Sequence, residues 1–200
     1  MDRSLFRWIN RLADHTAWAH GFFRLYAGAG IAVFALLLAG AYLDARRRGR
    51  LEAVVATLWA GAAALVALGV AQLVGQPFDR LRPYEAMTDV HLLVARTTDF
   101  SFPSDHASVA GAVAVGLLLA RRRWGLVAAF AAVLMAFTRV YVGAHYPADV
   151  AAGLLLGGAV AVAGRVLLVP TLTRLAQRLL RTPLRPLLAP ASGELATTTA

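Results

Sequence analysis

The chain has 200 residues, of which 59% are apolar, and a formal net charge of +9. Its apolar share exceeds the roughly 45–50% of soluble domains, and its mean hydropathy is +0.62, so an integral membrane protein is expected. Cysteine is absent, which excludes disulfides, thiolate metal sites and a cysteine nucleophile. All 20 basic residues are arginines, and many of them cluster in short runs between apolar segments. This pattern is typical of a protein facing anionic lipid headgroups and argues against a nucleic-acid binder.

The first 24 residues carry several charges and no continuous apolar core, so they do not read as a cleavable signal peptide. We predict that residues 1–24 form an amphipathic helix at the membrane interface. Its lipid-facing side chains would be Leu5, Phe6, Trp8, Ile9 and Leu12.

Five apolar stretches follow, and they predict an all-α, polytopic transmembrane helical bundle of five to six spans over residues 25–170. They run over Ala27–Leu43, Ala53–Val74, Ala107–Ala120, Trp124–Val142 and Val150–Val169. The third stretch has only 14 residues. It needs the preceding Ser104–His106 as its first turn to approach the ~30 Å thickness of a bilayer.

Arginine runs predict the orientation of the bundle. They follow the first, third and fifth stretches, at Arg46–Arg50, Arg121–Arg123 and Arg174–Arg185. The positive-inside rule makes that side cytoplasmic, so residues 171–200 are expected to be a cytoplasmic amphipathic segment and flexible tail. The other side holds Gly75–Phe102 and the turn around Gly143–Tyr146, so every candidate catalytic segment is expected on the extracytoplasmic face. The absence of lysine and the abundance of alanine are typical of a GC-rich bacterial genome. With the family resemblance described below, a bacterial cytoplasmic (inner) membrane is expected.

The segment Pro103-Ser104-Asp105-His106 precedes the third stretch and predicts a helix N-terminus. The free N–H groups of such a first turn bind phosphate readily. The Ser104 hydroxyl and the amides of Asp105 and His106 are therefore candidate phosphate ligands, and His106 is a candidate acid. A plain capped helix with His106 among the headgroups is the alternative.

The segment from Arg139 to Asp149 contains a second histidine, His145, four residues before the aspartate. On a helix beginning near Pro147 the carboxylate would bind one ring nitrogen and leave the other free as a nucleophile or base. Arg139 would bind phosphate bidentately. A structural His–Asp pair is one alternative. A metal site is another, although the arginines would repel a cation.

The third segment contains Arg80 and Arg82, the latter preceding Pro83. A residue before proline is extended, so both guanidinium groups can point the same way, an arrangement that suits a diphosphate. A loop that only binds headgroups is the alternative.

Together these segments resemble the type 2 phosphatidic acid phosphatase superfamily, whose signature is Lys-x6-Arg-Pro, then Pro-Ser-Gly-His, then Ser-Arg-x5-His-x3-Asp. The matching residues here are Arg82-Pro83, Pro103-Ser104-Asp105-His106 and Thr138-Arg139-x5-His145-x3-Asp149. The similarity covers about residues 70–160. The run from His91 to His106 resembles most the bacitracin-resistance type of undecaprenyl-pyrophosphate phosphatase.

The resemblance implies a mechanism without metal or cofactor. It makes His145 the nucleophile that forms a phosphohistidine, Asp149 its orienting partner and His106 the acid for the leaving oxygen. It also implies that Arg82, Arg139, Ser104 and the Asp105 amide hold the phosphoryl oxygens.

Three positions depart from the family pattern. The family lysine falls at Gly75, and we predict that Arg80 supplies the missing charge. Asp105 replaces a glycine, either facing outward or orienting His106. Thr138 replaces a serine and keeps the hydroxyl.

The expected partners are membrane lipids and a polyprenyl or glycerolipid phosphate substrate, with undecaprenyl pyrophosphate favoured. Phosphatidic acid or phosphatidylglycerophosphate is the alternative substrate. A non-catalytic protein that binds or transports lipid phosphates is the alternative of another class. The sequence leaves the oligomeric state open.

Overall fold

The computed structural model describes residues 1–180, and within them it has helices and no β-strand. The α-helices are α1 (Asp2–His15), α2 (His20–Ala29), α3 (Ile31–Arg47), α4 (Leu51–Gly75), α5 (Pro83–Ala86), α6 (Asp105–Ala120), α7 (Arg122–Tyr141), α8 (Pro147–Leu167) and α9 (Val169–Leu179). Short 3₁₀ turns lie at Ala17–Ala19 and Gln76–Phe78. The predicted all-α class is confirmed, and residues 181–200 of the predicted segment and tail at 171–200 lie outside the described residues.

Helix α6 lies at the centre of the bundle, in contact with α4, α7 and α8. The buried core is built largely from alanines, with Phe34, Leu117 and Met135 as its largest fully buried side chains. Small side chains let helix backbones approach closely, which is how helices associate in lipid. Large apolar side chains instead face outward, among them Leu36, Leu65, Leu73, Phe130 and Leu155.

The five predicted apolar stretches correspond to α3, α4, α6, α7 and α8. Three segments are long and apolar enough to cross a membrane: Leu51–Ala86, which includes α4, then α7 and α8. A fourth span is available if α2 and α3, bent by 63° at Gly30, count as one. Helix α6, with 16 residues, is a shorter apolar helix that α4, α7 and α8 surround. The chain is therefore a multi-pass membrane protein.

The arginine runs after α3 and α6 lie at one end of the bundle. Asp44, near the end of α3, forms an ion pair with Arg121 at the start of α7. At the same end Arg165 of α8 contacts Glu52 of α4 at 2.7 Å. The segments that carry the two candidate histidines occupy the opposite end, as the sequence predicts.

Helix α1 is amphipathic, but it packs on the protein more than predicted. Phe6 is fully buried, and its ring centroid lies 5.5 Å from that of Tyr146. The prediction that Phe6 faces lipid is therefore wrong, because this side chain fills a gap beside α8. Asn10, also buried, donates to the carbonyl oxygens of Tyr141 and His91 at 2.9 Å each. Leu5 and Trp8 remain exposed.

Candidate active site

The first turn of α6 begins where the sequence predicts. Ser104 is its N-cap, and its hydroxyl oxygen accepts a hydrogen bond from the Ala107 N–H at 3.5 Å. The Ser104 N–H donates to the carbonyl oxygen of Asp149 at 3.1 Å. This bond joins the start of α6 to the start of α8, so the two candidate catalytic segments share one rigid frame.

The same frame is tightened by glycine on α8. A Cβ at Gly153 would lie 2.6 Å from the Ser104 carbonyl oxygen. Only a residue without a side chain permits this approach, which brings the first turn of α6 against α8.

His145 lies in the short loop between α7 and α8, and its side chain is buried. Gly143 turns this loop with a φ of +82°, in the left-handed region that favours glycine. Nδ1 of His145 lies 2.9 Å from the Ser101 carbonyl oxygen, and Nε2 lies 3.0 Å from Nη1 of Arg82. A carbonyl oxygen only accepts and a guanidinium only donates, so this network assigns the proton to Nδ1. Nε2 then carries the lone pair, which accepts the hydrogen bond from Arg82.

The pKa of His145 lies well below its ordinary value of 6.5. Burial is the largest cause, and the positive charges of Arg139 and Arg82 lower the pKa further. The imidazole is therefore neutral at physiological pH, the state that a nitrogen nucleophile requires.

Asp149 does not bind His145 directly, which corrects the predicted hydrogen bond. Its Oδ2 lies 3.9 Å from Nδ1 of His145. The carboxylate instead accepts from the Ser101 hydroxyl at 2.6 Å and from the Tyr146 N–H at 2.9 Å. His145 precedes the first helical residue, Pro147, so the helical spacing of four residues does not apply to it. Ser101 connects the two, with its carbonyl on the histidine and its hydroxyl on the carboxylate.

Arg80 also departs from its predicted role as a phosphate ligand. Its Nη1 contacts Oδ1 of Asp149 at 2.6 Å, and its Nη2 contacts Oδ2 of Asp2 at 2.5 Å. The guanidinium lies 4.2 Å from the centroid of the Tyr146 ring. Two carboxylates thus neutralise Arg80, and its position suits holding Asp149 in place.

Arg82 is buried beside His145. Its Nη2 pairs with Oδ2 of Asp99 at 2.9 Å, and its Nη1 also donates to the Ala144 carbonyl oxygen at 3.0 Å. Burial raises the pKa of the Asp99 carboxyl, but a hydrogen bond from Thr97 and the charge of Arg82 lower it more, so the pKa is lowered overall. Asp99 therefore stays ionised and orients Arg82.

Arg139 has no carboxylate within ion-pair distance among residues 1–180. It is buried on α7, and its hydrogen bond to the Ala27 carbonyl oxygen is long, at 3.4 Å. Among residues 1–180, its Nε and the Thr138 hydroxyl are the buried side-chain atoms that lack any hydrogen-bond partner. Leaving a buried donor unpaired costs about 1–3 kcal/mol, more if it is charged. Such a group is set up to receive an anionic oxygen.

His106 lies in the first turn of α6 and is partly buried. The charges of Arg82 and Arg139 act on both His106 and His145, and His106 itself acts on His145. The two histidines therefore share one electrostatic environment. The Asp105 side chain turns toward α4 and accepts from Nε2 of Gln72 at 2.8 Å.

Gly75, the position of the family lysine, has no space for a side chain. A Cβ there would lie 2.6 Å from the Phe102 carbonyl oxygen. Within residues 1–180 no group of three or more His, Asp and Glu side chains is arranged to hold a metal ion.

Three residues of the site were missed by sequence reasoning: Ser101, Asp99 and Asp2. Ser101 and Asp99 precede α6 in an irregular segment without periodicity, and Asp2 comes from the far end of the chain. The signal nearest to them is the polar run Thr97-Thr98-Asp99 before the Pro-Ser cap.

Comparison with known proteins places this geometry in a family. Residues 56–171 match the PAP2 superfamily. The chain belongs to this superfamily. It is 30% identical over 156 residues to the undecaprenyl-diphosphatase BcrC of Bacillus subtilis, covering 78% of each chain. It is 32% identical to the putative undecaprenyl-diphosphatase YbjG of Escherichia coli, covering 78% of this chain and 77% of that one.

A solved structure agrees with the helical arrangement. The crystal structure of Aquifex aeolicus LpxE matches with a TM-score of 0.60 and 28% identity, over 81% of this chain and 93% of that one. The resemblance found in the sequence is confirmed, and the protein is a membrane phosphatase of the PAP2 type.

Proposed function

We propose that the protein hydrolyses undecaprenyl diphosphate to undecaprenyl phosphate and inorganic phosphate. The observation that carries the chemistry is the neutral, buried His145, with its Nδ1 on a carbonyl oxygen and its Nε2 beside Arg82. The choice of lipid rests on the relatives BcrC and YbjG. The paired-arginine argument for a diphosphate no longer supports it, because Arg80 is bound to two carboxylates.

In the proposed mechanism, Nε2 of His145 attacks the terminal phosphorus. The bond from phosphorus to the bridging oxygen breaks, and His106 gives a proton to the departing lipid phosphate. Arg82 and Arg139, with the Ser104 hydroxyl and the Asp105 amide, hold the three equatorial oxygens. Stabilising charge on the transferring group is usually the largest part of such catalysis.

Water completes the reaction. It attacks the phosphohistidine, His106 takes up the proton, and phosphate leaves with His145 neutral again. Asp149 and Ser101 keep the imidazole in one tautomer throughout. No step requires a metal, and the positive charges of Arg82 and Arg139 would disfavour a cation at this position.

The first experiment measures phosphate release by the purified protein in detergent with EDTA. Undecaprenyl diphosphate, phosphatidic acid and phosphatidylglycerophosphate are compared at equal surface concentration. We expect the diphosphate to have the highest kcat/KM and EDTA to have no effect. A preference for phosphatidic acid or phosphatidylglycerophosphate would replace the proposed substrate, and loss of activity with EDTA would contradict the metal-free route.

The second experiment tests the intermediate. Substrate labelled with ³²P at the terminal phosphate is quenched in base, in which phosphohistidine survives. We expect label on the wild type and none on His145→Ala, whereas His15→Ala, an exposed histidine on α1, serves as the matched control. Binding of lipid without turnover or label would favour the non-catalytic alternative.

We also propose that the site faces the extracytoplasmic side of a bacterial cytoplasmic membrane. The arginine runs at the opposite end support this through the positive-inside rule. The chain has no cysteine, so a maleimide can label only a cysteine that a substitution introduces. In intact cells a membrane-impermeant maleimide should label Thr98→Cys and spare Arg47→Cys, and the reverse pattern would invert the orientation.

A further inference from the structure

At the end of the bundle opposite the histidines, arginines from two loops line one cavity of about 310 Å³. Two of them follow α3, and three lie at the junction of α6 and α7. We call this the basic cavity, and its charged lining is Arg48, Arg50, Arg121, Arg122 and Arg123. Two separate parts of the chain thus bring five positive charges to one opening.

Most of this charge is uncompensated. Asp44 pairs with Arg48 at 2.8 Å and forms an ion pair with Arg121. In the part of the chain that the structure describes, Arg50, Arg122 and Arg123 have no carboxylate within ion-pair distance. Asp44 therefore binds Arg48 and Arg121 of the cavity lining, and Arg50, Arg122 and Arg123 are available to an anion.

A second cavity of about 410 Å³ adjoins the first, and the two share Arg50 and Ala120. Its apolar side lies between the start of α4 and the end of α6, and we call the cavity the apolar recess. Its apolar lining is Leu51, Ala53, Ala56, Leu119 and Ala120. At its rim Arg165 and Glu52 neutralise each other.

We propose that the basic cavity and the apolar recess together bind one anionic glycerophospholipid. Its phosphate would lie among Arg50, Arg122 and Arg123, since guanidinium groups bind phosphate oxygens in pairs. The glycerol and first acyl carbons would lie against Leu51 and Leu119. A free anion would use only the basic cavity, whereas the adjoining apolar wall matches a ligand with a charged head and an apolar body.

This site is independent of the proposed hydrolysis, because none of its residues contacts the histidine segments. It ties the loop after α3 to the junction of α6 and α7, and α6 carries His106 at its other end. A lipid bound there would stabilise the bundle without entering the reaction.

The test uses the full chain in neutral detergent with native mass spectrometry and thermal unfolding. Phosphatidylglycerol, phosphatidylcholine and inorganic phosphate are titrated against the wild type and the triple variant Arg50→Gln, Arg122→Gln, Arg123→Gln. The matched control removes the same charge from exposed positions elsewhere, with Arg11→Gln, Arg24→Gln and Arg174→Gln.

We expect the wild type and the control to retain phosphatidylglycerol at least about tenfold more strongly than phosphatidylcholine, with a higher Tm. The triple variant should lose both effects and keep its turnover. Equal phosphatidylglycerol binding by wild type and triple variant overturns the proposal. Equal stabilisation by inorganic phosphate overturns the lipid assignment and leaves a simple anion site.

A second variant keeps the proposal testable if the triple variant fails to fold. Leu119→Trp fills the apolar recess and leaves every arginine in place. It should weaken phosphatidylglycerol binding and spare binding of glycerol phosphate. Undiminished lipid binding by this variant would show that the recess does not hold the acyl chains and would overturn the proposal.

Discussion

Nη1 of Arg82 lies 3.0 Å from Nε2 of His145, the atom that we propose attacks phosphorus. The Arg82 guanidinium therefore covers the lone pair of this nitrogen. The guanidinium of Arg82 and the Nε2 lone pair of His145 face each other, so an incoming phosphoryl group must enter between them. Its oxygens would take over the guanidinium while its phosphorus meets the ring nitrogen. This contact makes Arg82 a determinant of the protonation of His145, in addition to its proposed role as a phosphate ligand.

Replacing Arg82 with glutamine should alter the pH profile in a defined direction. The pKa of His145 is lowered by burial first and by Arg139 and Arg82 next. Removing one of these charges raises that pKa, so the acid limb of kcat/KM moves to higher pH. We also expect kcat/KM to fall roughly 10²–10³-fold at the optimum, as for loss of a transition-state donor.

The control for this change is Arg96→Gln, an exposed arginine over the Tyr84 ring. Its profile should match the wild type. An acid limb that stays in place in Arg82→Gln would disconnect the guanidinium from the titration of His145.

Acid should destabilise the fold through the same histidine. The folded pKa lies below the ordinary value, so the unfolded chain binds a proton that the folded chain does not. The free energy of unfolding therefore falls as pH drops below about 6.5, the ordinary pKa of histidine. In His145→Gln this dependence should weaken, as measured by denaturant unfolding in detergent at pH 5 and pH 7.5. An unchanged pH dependence would contradict the neutral, buried state of the ring.

Asp149 is expected to act on the rate and not on affinity. Asp149→Asn keeps the size of the side chain but cannot accept from Arg80, Ser101 and Tyr146 as the carboxylate does. We expect kcat to fall by about 10²–10⁴, the range seen when the orienting acid of a catalytic histidine is lost. Ser101→Ala keeps the carbonyl on His145 and loses only the hydroxyl, so its loss should be smaller. A larger loss of kcat in Ser101→Ala than in Asp149→Asn would contradict the expectation that Asp149 contributes more to the rate than the Ser101 hydroxyl.

Asp2 and Arg80 should behave as positioning residues. Asp2 contacts Arg80 through Oδ2 and the Ala148 N–H through Oδ1, at 2.5 and 3.0 Å. Asp2→Asn and Arg80→Met should lower kcat, by roughly tenfold or about 1.4 kcal/mol, and leave KM near its wild-type value. Arg139→Met, which removes a proposed phosphate ligand, should instead raise KM. A raised KM in Arg80→Met would restore the role first predicted for it, as the replacement for the family lysine.

Gly75 offers a packing test with an internal control. Gly75→Ala places a methyl group against the Phe102 carbonyl oxygen, so the segment before α6 must shift. We expect a loss of about 1–3 kcal/mol in unfolding free energy, as for overpacking, together with reduced turnover. Gly69→Ala on the same helix meets nothing within 4 Å. It should be neutral or stabilising by up to about 1 kcal/mol. Equal effects at both positions would show that the contact with Phe102 is unimportant.

The sequence predicted those features that depend on local signals. Apolar length predicted α3, α4, α6, α7 and α8, and the Pro-Ser cap and Pro147 predicted where α6 and α8 begin. Motif spacing selected His106, His145 and Arg139. These features depend on residues that are close together in the sequence, so sequence patterns alone can predict them.

The contacts around Asp149 were beyond such reasoning because they join distant segments. Asp2, Arg80 and Ser101 come from three parts of the chain and meet only after folding. Spacing suggested a helical pair for His145 and Asp149, but the helix begins after the histidine. Arg80 looked like a free cation because its partner Asp2 is at the start of the chain.

The bond from the Ser104 N–H to the Asp149 carbonyl oxygen, reinforced by the close approach at Gly153, has a consequence for inhibitors. The wall formed by α6 and α8 cannot widen without breaking both contacts, so it offers a template of constant shape. The segment from Pro83 to Phe100, which is mostly irregular, forms the adaptable side. An inhibitor should place its phosphate mimic against the wall of α6 and α8 and its variable substituents toward that segment, where selectivity among relatives can be obtained.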